Sequence, residues 1–192
     1  MKALSLLAVL SLLAAGCAGM MQAAAPIATA QLKNASGDVV GTATFTEVGG
    51  GVRIVLEARG LPPGEKGVHI HEVGKCDPPA FTSAGGHFNP AKRQHGLQNP
   101  QGPHAGDLPN ITVAADGTGR LETTTNRVTL SSGETSVFDA DGSALVVHAG
   151  PDDFKTDPTG NSGARIACGV ISRGQTAARP EPPRVRPMMG GY

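Results

Sequence analysis

Val39-Val40-Gly41-Thr42-Ala43-Thr44-Phe45 and Val52-Arg53-Ile54-Val55-Leu56-Glu57-Ala58 are two short runs rich in β-branched and apolar residues, preceded by Gly37-Asp38 and separated by Gly49-Gly50-Gly51. Branched side chains suit a pleated, half-buried surface, and a glycine cluster supplies the tight reversal between two such runs. The pair predicts a β-hairpin. Outward from it, similar runs recur at 67–71, 110–114, 119–124, 144–148 and 165–171, with Asp116-Gly117 marking another turn. About eight strands result. No helical stripe of useful length interrupts them, so closing the strands into an antiparallel sandwich or flattened barrel is the economical way to bury them. The composition agrees: 27 Gly, 15 Pro, no Trp and one Tyr in 192 residues favour short strands and many turns. The fold class expected is all-β. Two stretches break the rhythm, 72–107 and 149–164, and long connections without their own secondary structure are usually functional.

The length allows one domain with a modest core. Equal counts of basic and acidic residues, 16 each, give no field that would favour nucleic acid or draw the whole chain onto an anionic membrane. At the N-terminus, Lys2 and the apolar run 3–16 read as a signal peptide, too short to span a bilayer comfortably. Leu13-Ala14-Ala15-Gly16-Cys17 resembles a bacterial lipobox, which makes Cys17 the lipidation site; Ala18 matches the pattern sorted to an outer membrane. The expected location is therefore the cell envelope (periplasm), with contact to membrane through the lipid alone. Residues 17–29 read as lipidated Cys and tether, 30–174 as the domain, and 175–192 as a disordered Pro/Arg-rich tail. With Cys17 set aside, Cys76 and Cys168 remain, an even pair in an oxidising setting, and are expected to form a disulfide. Closing a loop of about 90 residues contributes roughly 4 to 5 kcal/mol in the chain-entropy model.

His69 and His71 flank Ile70, and residues two apart on a strand share a face, so the pair presents two imidazoles side by side. His-x-His alone is a weak signal. Its company strengthens it: His87, His95, His104 and Asp107 follow in the long loop at gaps of eight, nine and three, and His148 ends a later strand. Six imidazoles and one carboxylate are too many for one tetrahedral ion. They divide into four nitrogens for a first ion and three nitrogens plus one oxygen for a second, if one imidazole is shared. Four imidazoles suit copper(II); a closed His₃Asp set suits structural zinc. Spacing alone does not say which histidine is shared.

The segments Gly67-Val68-His69-Ile70-His71-Glu72, Gly85-Gly86-His87-Phe88-Asn89-Pro90, His95-Gly96, His104-Ala105-Gly106-Asp107-Leu108, Leu145-Val146-Val147-His148 and 160–171 resemble the copper/zinc superoxide dismutase family over about residues 30–172. The resemblance implies a Greek-key β-sandwich. It also implies copper held by His69, His71, His87 and His148, and zinc held by His87, His95, His104 and Asp107, with His87 bridging. By the same resemblance Asp152 hydrogen-bonds His69 and His95, Arg165 stands beside the open side of copper, and Thr159 helps form the channel mouth. The implied reaction is dismutation of superoxide anion to dioxygen and hydrogen peroxide, protecting the envelope. Where many eukaryotic members carry a lysine before the threonine, this chain has Asp157-Pro158, so Lys155 or Lys75 is the expected source of steering charge. A homodimer is left open, since family members pair through different faces. Against the enzyme stand a metal carrier using the same histidines and a structural sandwich without turnover.

Overall fold

The computed structural model describes residues 27–174. The signal segment, Cys17 and the tail therefore lie outside the described residues.

Ten strands form one antiparallel sheet: β1 (Ile27–Lys33), β2 (Val39–Val48), β3 (Gly51–Ala58), β4 (Gly64–Lys66), β5 (Val68–His71), β6 (Ile111–Val113), β7 (Gly119–Thr125), β8 (Ala144–His148), β9 (Arg165–Val170) and β10 (Ser172–Arg173). The order β4-β6-β7-β3-β2-β1-β9-β8-β5 begins and ends on two pieces of one chain segment, because only Gly67 separates β4 from β5. The sheet thus closes into a flattened barrel, which removes the exposed edges an open sheet would present. Counting β4 with β5, and β9 with β10 across Ile171, gives eight strands, the expected number, with β1 the one that no quoted run marked. That strand begins at Ile27, so the tether expected to run to Thr29 ends sooner, and Ile27–Thr29 pair with Thr46–Thr44 of β2. The β7–β3 neighbourhood and the long return from β7 to β8 are the Greek-key crossings.

The hairpin is as read, with Val48 opposite Gly51 and Gly49-Gly50 as its turn. Along it Ala43, Phe45, Val52, Ile54 and Leu56 point into the barrel while Thr42 and Arg53 face water. β8 differs: all five residues are buried. Leu145 and Val147 join the barrel core, whereas Ala144 and Val146 pack outside it with Phe81, Ala84 and Cys168. The connection 72–110 folds back to cover that outer face and contains only the short 3₁₀ turn Thr82–Ala84. Cys76 and Cys168 are bonded there, with Cα atoms 5.6 Å apart.

A third long connection, 126–143, was not singled out by the sequence. It is fastened to the end of β2 by Glu47, whose carboxylate accepts hydrogen bonds from Thr129 Oγ1 at 2.5 Å, Leu130 N at 3.2 Å, and Ser131 Oγ at 2.9 Å. The Thr129 hydrogen bond, helped by those of Ser131 and Leu130 and opposed by slight burial, holds this carboxyl below its ordinary value of 4.5. A depressed folded-state pKa means stability that is complete above about 4.5 and is lost as the pH falls through the lower, folded value. Glu47→Gln is therefore expected to lower Tm at pH 7 by a margin that vanishes in acid; equal Tm values at pH 7 would contradict this clasp.

Candidate metal centre

The six histidines come from three places in the fold. His69 and His71 lie on β5, whose neighbour β8 ends with His148; His87, His95 and His104 come from the 72–110 connection. A bulge helps aim the last of the strand residues. Pairing between β8 and β9 slips at Val147/His148, so that His148 stands opposite Arg165 and Ile166 is the extra residue. Bulges of this kind re-aim side chains beside functional sites. Isolated bridges His69↔Asp107 and His71↔His87 bring the connection against β5. That approach needs a residue without a side chain, since a Cβ on Gly106 would collide with the Ile70 carbonyl.

Every one of the six imidazoles is buried, as are Asp107 and Asp152. Four of the rings leave one nitrogen without a hydrogen-bond partner: His69 Nδ1, His71 Nε2, His87 Nε2 and His148 Nε2. The opposite nitrogens are tied. His71 Nδ1–H donates to Gly85 O at 3.0 Å, His148 Nδ1–H to Gly163 O at 3.1 Å, and His69 Nε2–H to Asp152 Oδ2 at 2.8 Å. Each of these bonds fixes the tautomer, leaving a lone pair on the orphaned nitrogen. One ligand atom from each of the four residues lies within 4.8 Å of all the others. Burial pushes His69 to about 3, His71 to about 2 and His148 to about 4, and it lowers His87 as well. Neutral imidazoles are the form that binds a metal.

The remaining nitrogen of His87, Nδ1, faces a second set. Asp107 Oδ1 lies 3.0 Å from His87 Nδ1, 3.1 Å from His95 Nδ1 and 3.4 Å from His104 Nδ1, and the last is 3.4 Å from His87 Nδ1. Three imidazole nitrogens converging on one carboxylate oxygen exceed what its lone pairs accept in hydrogen bonds. A tetrahedron with arms of 2.0–2.1 Å, the zinc–nitrogen distance, has edges of about 3.3 Å, the range of these four separations. His69, His87, His95 and Asp107 also offer atoms within 4.8 Å of one another. His104 fits the fourth corner better, because His69 Nε2 is engaged by Asp152 and its Nδ1 belongs to the first set. Asp107 Oδ2 accepts from the Gly96 and His104 amides at 2.9 Å each, which turns Oδ1 inward. Burial opposes ionisation of Asp107, but hydrogen bonds from His104, His87 and His95 outweigh it and hold the carboxyl well below the usual range.

Asp152 places Oδ2 2.8 Å from His69 Nε2 and Oδ1 3.0 Å from His95 Nε2. Burial pushes His95 down, yet its bonds to Asp107 and Asp152 raise it to about 9, so metal binding at Nδ1 displaces a proton from this ring. Two partners of Asp152 escaped the sequence reading. Asn110 clasps its backbone in both directions, at 2.9 and 3.0 Å. Gly160 has a left-handed φ of 63°, and a Cβ there would strike the Asp152 carboxylate and lie 2.6 Å from His95 Nε2. Arg127, also unflagged, donates from Nη2 to the Asp107 carbonyl at 2.6 Å. An Asn after a proline and an Arg after a strand carry no local signal of such a contact.

Between the two loops opens a cleft of about 910 Å³ lined by His71, His87, His148, Thr159, Arg165 and Lys92, among others. Thr159 and Arg165 are at the expected mouth. Lys155 and Lys75, the expected steering charges, do not line it; Lys92 does.

The family model for copper/zinc superoxide dismutase (SODC) matches residues 39–171. The chain is 55% identical over 146 residues to Superoxide dismutase [Cu-Zn] 2 of Aquifex aeolicus, covering 75% of this chain and 85% of that protein. It is 49% identical over 147 residues to Superoxide dismutase [Cu-Zn] of Caulobacter vibrioides, covering 75% and 84%. Among solved structures it is similar to a SOD-like protein from Bacillus subtilis, with TM-score 0.72, 43% identity and coverage of 75% and 97%. The chain belongs to the copper/zinc superoxide dismutase family, whose cofactors are copper and zinc.

Proposed function

We propose that the chain dismutates superoxide in the cell envelope, with copper held by His69, His71, His87 and His148 and zinc by His87, His95, His104 and Asp107. The observation that carries this reading is His87, whose Nε2 belongs to one convergent set of buried nitrogens and whose Nδ1 belongs to the other. Bound copper supplies the one-electron couple that oxidises one superoxide and reduces the next, while zinc, which has no redox chemistry, supplies fixed charge.

The protein's own groups do the rest. Arg165 binds and orients the anion at the cleft wall; its guanidinium plane is set by Phe81 O and Gly85 O, each 2.6 Å away. When not engaged by copper, His87 Nε2 would be the atom that holds a proton taken from solvent between the two half-reactions, yielding it as peroxide forms while solvent supplies the second proton. Asp152 keeps the His69 and His95 rings in register, so that the two sites share one geometry. Lys92, at the mouth, adds attraction that falls with ionic strength. Envelope location and the lipid on Cys17 rest on the lipobox-like segment and agree with a disulfide, which persists in oxidising compartments.

Three outcomes are expected. The copper- and zinc-loaded protein consumes superoxide, His148→Ala does not, and Arg165→Ala is slower by about tenfold or more with a flatter salt dependence; a loaded parent that binds copper without turnover would leave a metal carrier instead. Gly160→Ala, which displaces Asp152, weakens zinc binding by about 10- to 100-fold in chelator competition, and an unchanged affinity would remove Asp152 from its role. Lys92→Gln lowers the low-salt rate while Lys155→Gln leaves it alone, and the reverse pattern would return steering to Lys155.

A further inference from the structure

Phe81 has features that neither metal site requires. Its backbone is left-handed, with φ 54°, a conformation that crowds the Cβ and is a true outlier for a bulky residue. Phe81 is 1% exposed and belongs to one buried cluster with Ala84, Ala144, Val146 and Cys168, against which Cys76 packs. Its carbonyl accepts the 2.6 Å hydrogen bond from Arg165 Nη1. Four residues on, Gly85 O accepts from Arg165 Nη2 at 2.6 Å and from His71 Nδ1 at 3.0 Å. The turn between them is closed by Ala84 N–H to Phe81 O at 3.2 Å and Gly85 N–H to Thr82 O at 3.1 Å. The two carbonyls therefore move as one clip, and that clip touches both the anion-binding arginine and a histidine of the copper set.

Something must hold the clip in a backbone conformation that its own residue disfavours. The Phe81 side chain shares a buried cluster with Cys168, against which Cys76 packs, while its own carbonyl accepts from Arg165. Among the described residues no carboxylate lies within 4.0 Å of the Arg165 guanidinium, so its orientation rests on these two carbonyls and its charge stays free for an anion. We propose that Phe81 is the positioning residue for Arg165: its ring, clamped against the disulfide, pins the left-handed turn that aims the Phe81 and Gly85 carbonyls at the guanidinium. The inference rests on the reading of Arg165 as the anion-binding residue. A left-handed backbone alone does not suffice, because glycine would adopt it more readily yet could not be held there.

The test is azide affinity of the copper- and zinc-loaded full chain, read from the visible absorption of copper, for the parent, Phe81→Gly, Phe81→Leu, Arg165→Ala and Phe45→Leu. Phe45 is a fully buried ring in the barrel core and controls for loss of packing as such. Phe81→Gly is expected to weaken azide by about tenfold, close to Arg165→Ala, the size of one hydrogen bond to a charged group. Phe81→Leu, which keeps part of the packing, should weaken it by about two- to threefold, and Phe45→Leu should match the parent. Should Phe81→Gly fail to take up copper, the comparison of Phe81→Leu with Phe45→Leu decides, and equal affinities overturn the inference. Parent-like affinity in Phe81→Gly beside a loss in Arg165→Ala overturns the Phe81 role alone. Parent-like affinity in Arg165→Ala overturns the anion-binding reading and the Phe81 role with it.

Discussion

Four imidazole nitrogens buried without partners, and three more crowded onto one oxygen of Asp107, set the terms for the rest of the molecule. A buried polar atom left unsatisfied costs about 1–3 kcal/mol, so a set this large has to be offset by something that takes several lone pairs at once. Metal ions do that, and coordination free energy then becomes folding free energy. The architecture reads as the means of bringing these lone pairs together before the metal arrives. β5 and β8 supply three of the rings from paired strands, where backbone position is best fixed. Loop residues supply the others, and each loop is tied back: Asp107 by the Gly96 and His104 amides and Arg127, Asp152 by Asn110, and the 72–85 turn by the disulfide cluster.

The barrel explains why so few residues can reach so far. Its closure through the segment broken at Gly67 turns β4 toward β6 and β5 toward β8, so one short run serves both halves of the sheet. At Gly67 itself a Cβ would lie 2.9 Å from Ser162 Cβ and 3.3 Å from His69 Cε1, so the same glycine that breaks the strand lets the 149–164 connection lie against His69. Asp152 then reaches both sets of histidines from that connection. Under the proposed ligand sets, the His87 ring and the Asp152 carboxylate would couple the geometry of the two sites.

Much of this was legible in the chain. The hairpin spelled itself out in alternating Ala43, Phe45 and Ile54, Leu56; His69 and His71 declared a shared face by their spacing; and the count of donors divides between two ions if one ring is shared. The identity of that ring was not in the spacing and came only with the family resemblance. Other features were illegible for physical reasons. β1 hid behind an alanine-rich approach with no clear end, so no run marked it as a strand. The place of Lys92 could not be read because it reaches the cleft by the path of the loop, not by any periodic pattern. Asn110, Arg127, Gly160 and Phe81 act through contacts with residues distant in sequence, and single residues of common type leave no pattern for such contacts.

The central claim is that His87 joins two different metals. Diffraction from crystals of the copper- and zinc-loaded protein, collected on either side of the copper and zinc absorption edges, tests it directly. The account predicts a copper signal at His87 Nε2 shared with His69, His71 and His148, and a zinc signal at His87 Nδ1 shared with His95, His104 and Asp107. A single metal signal, or two signals of which only one touches His87, would contradict it.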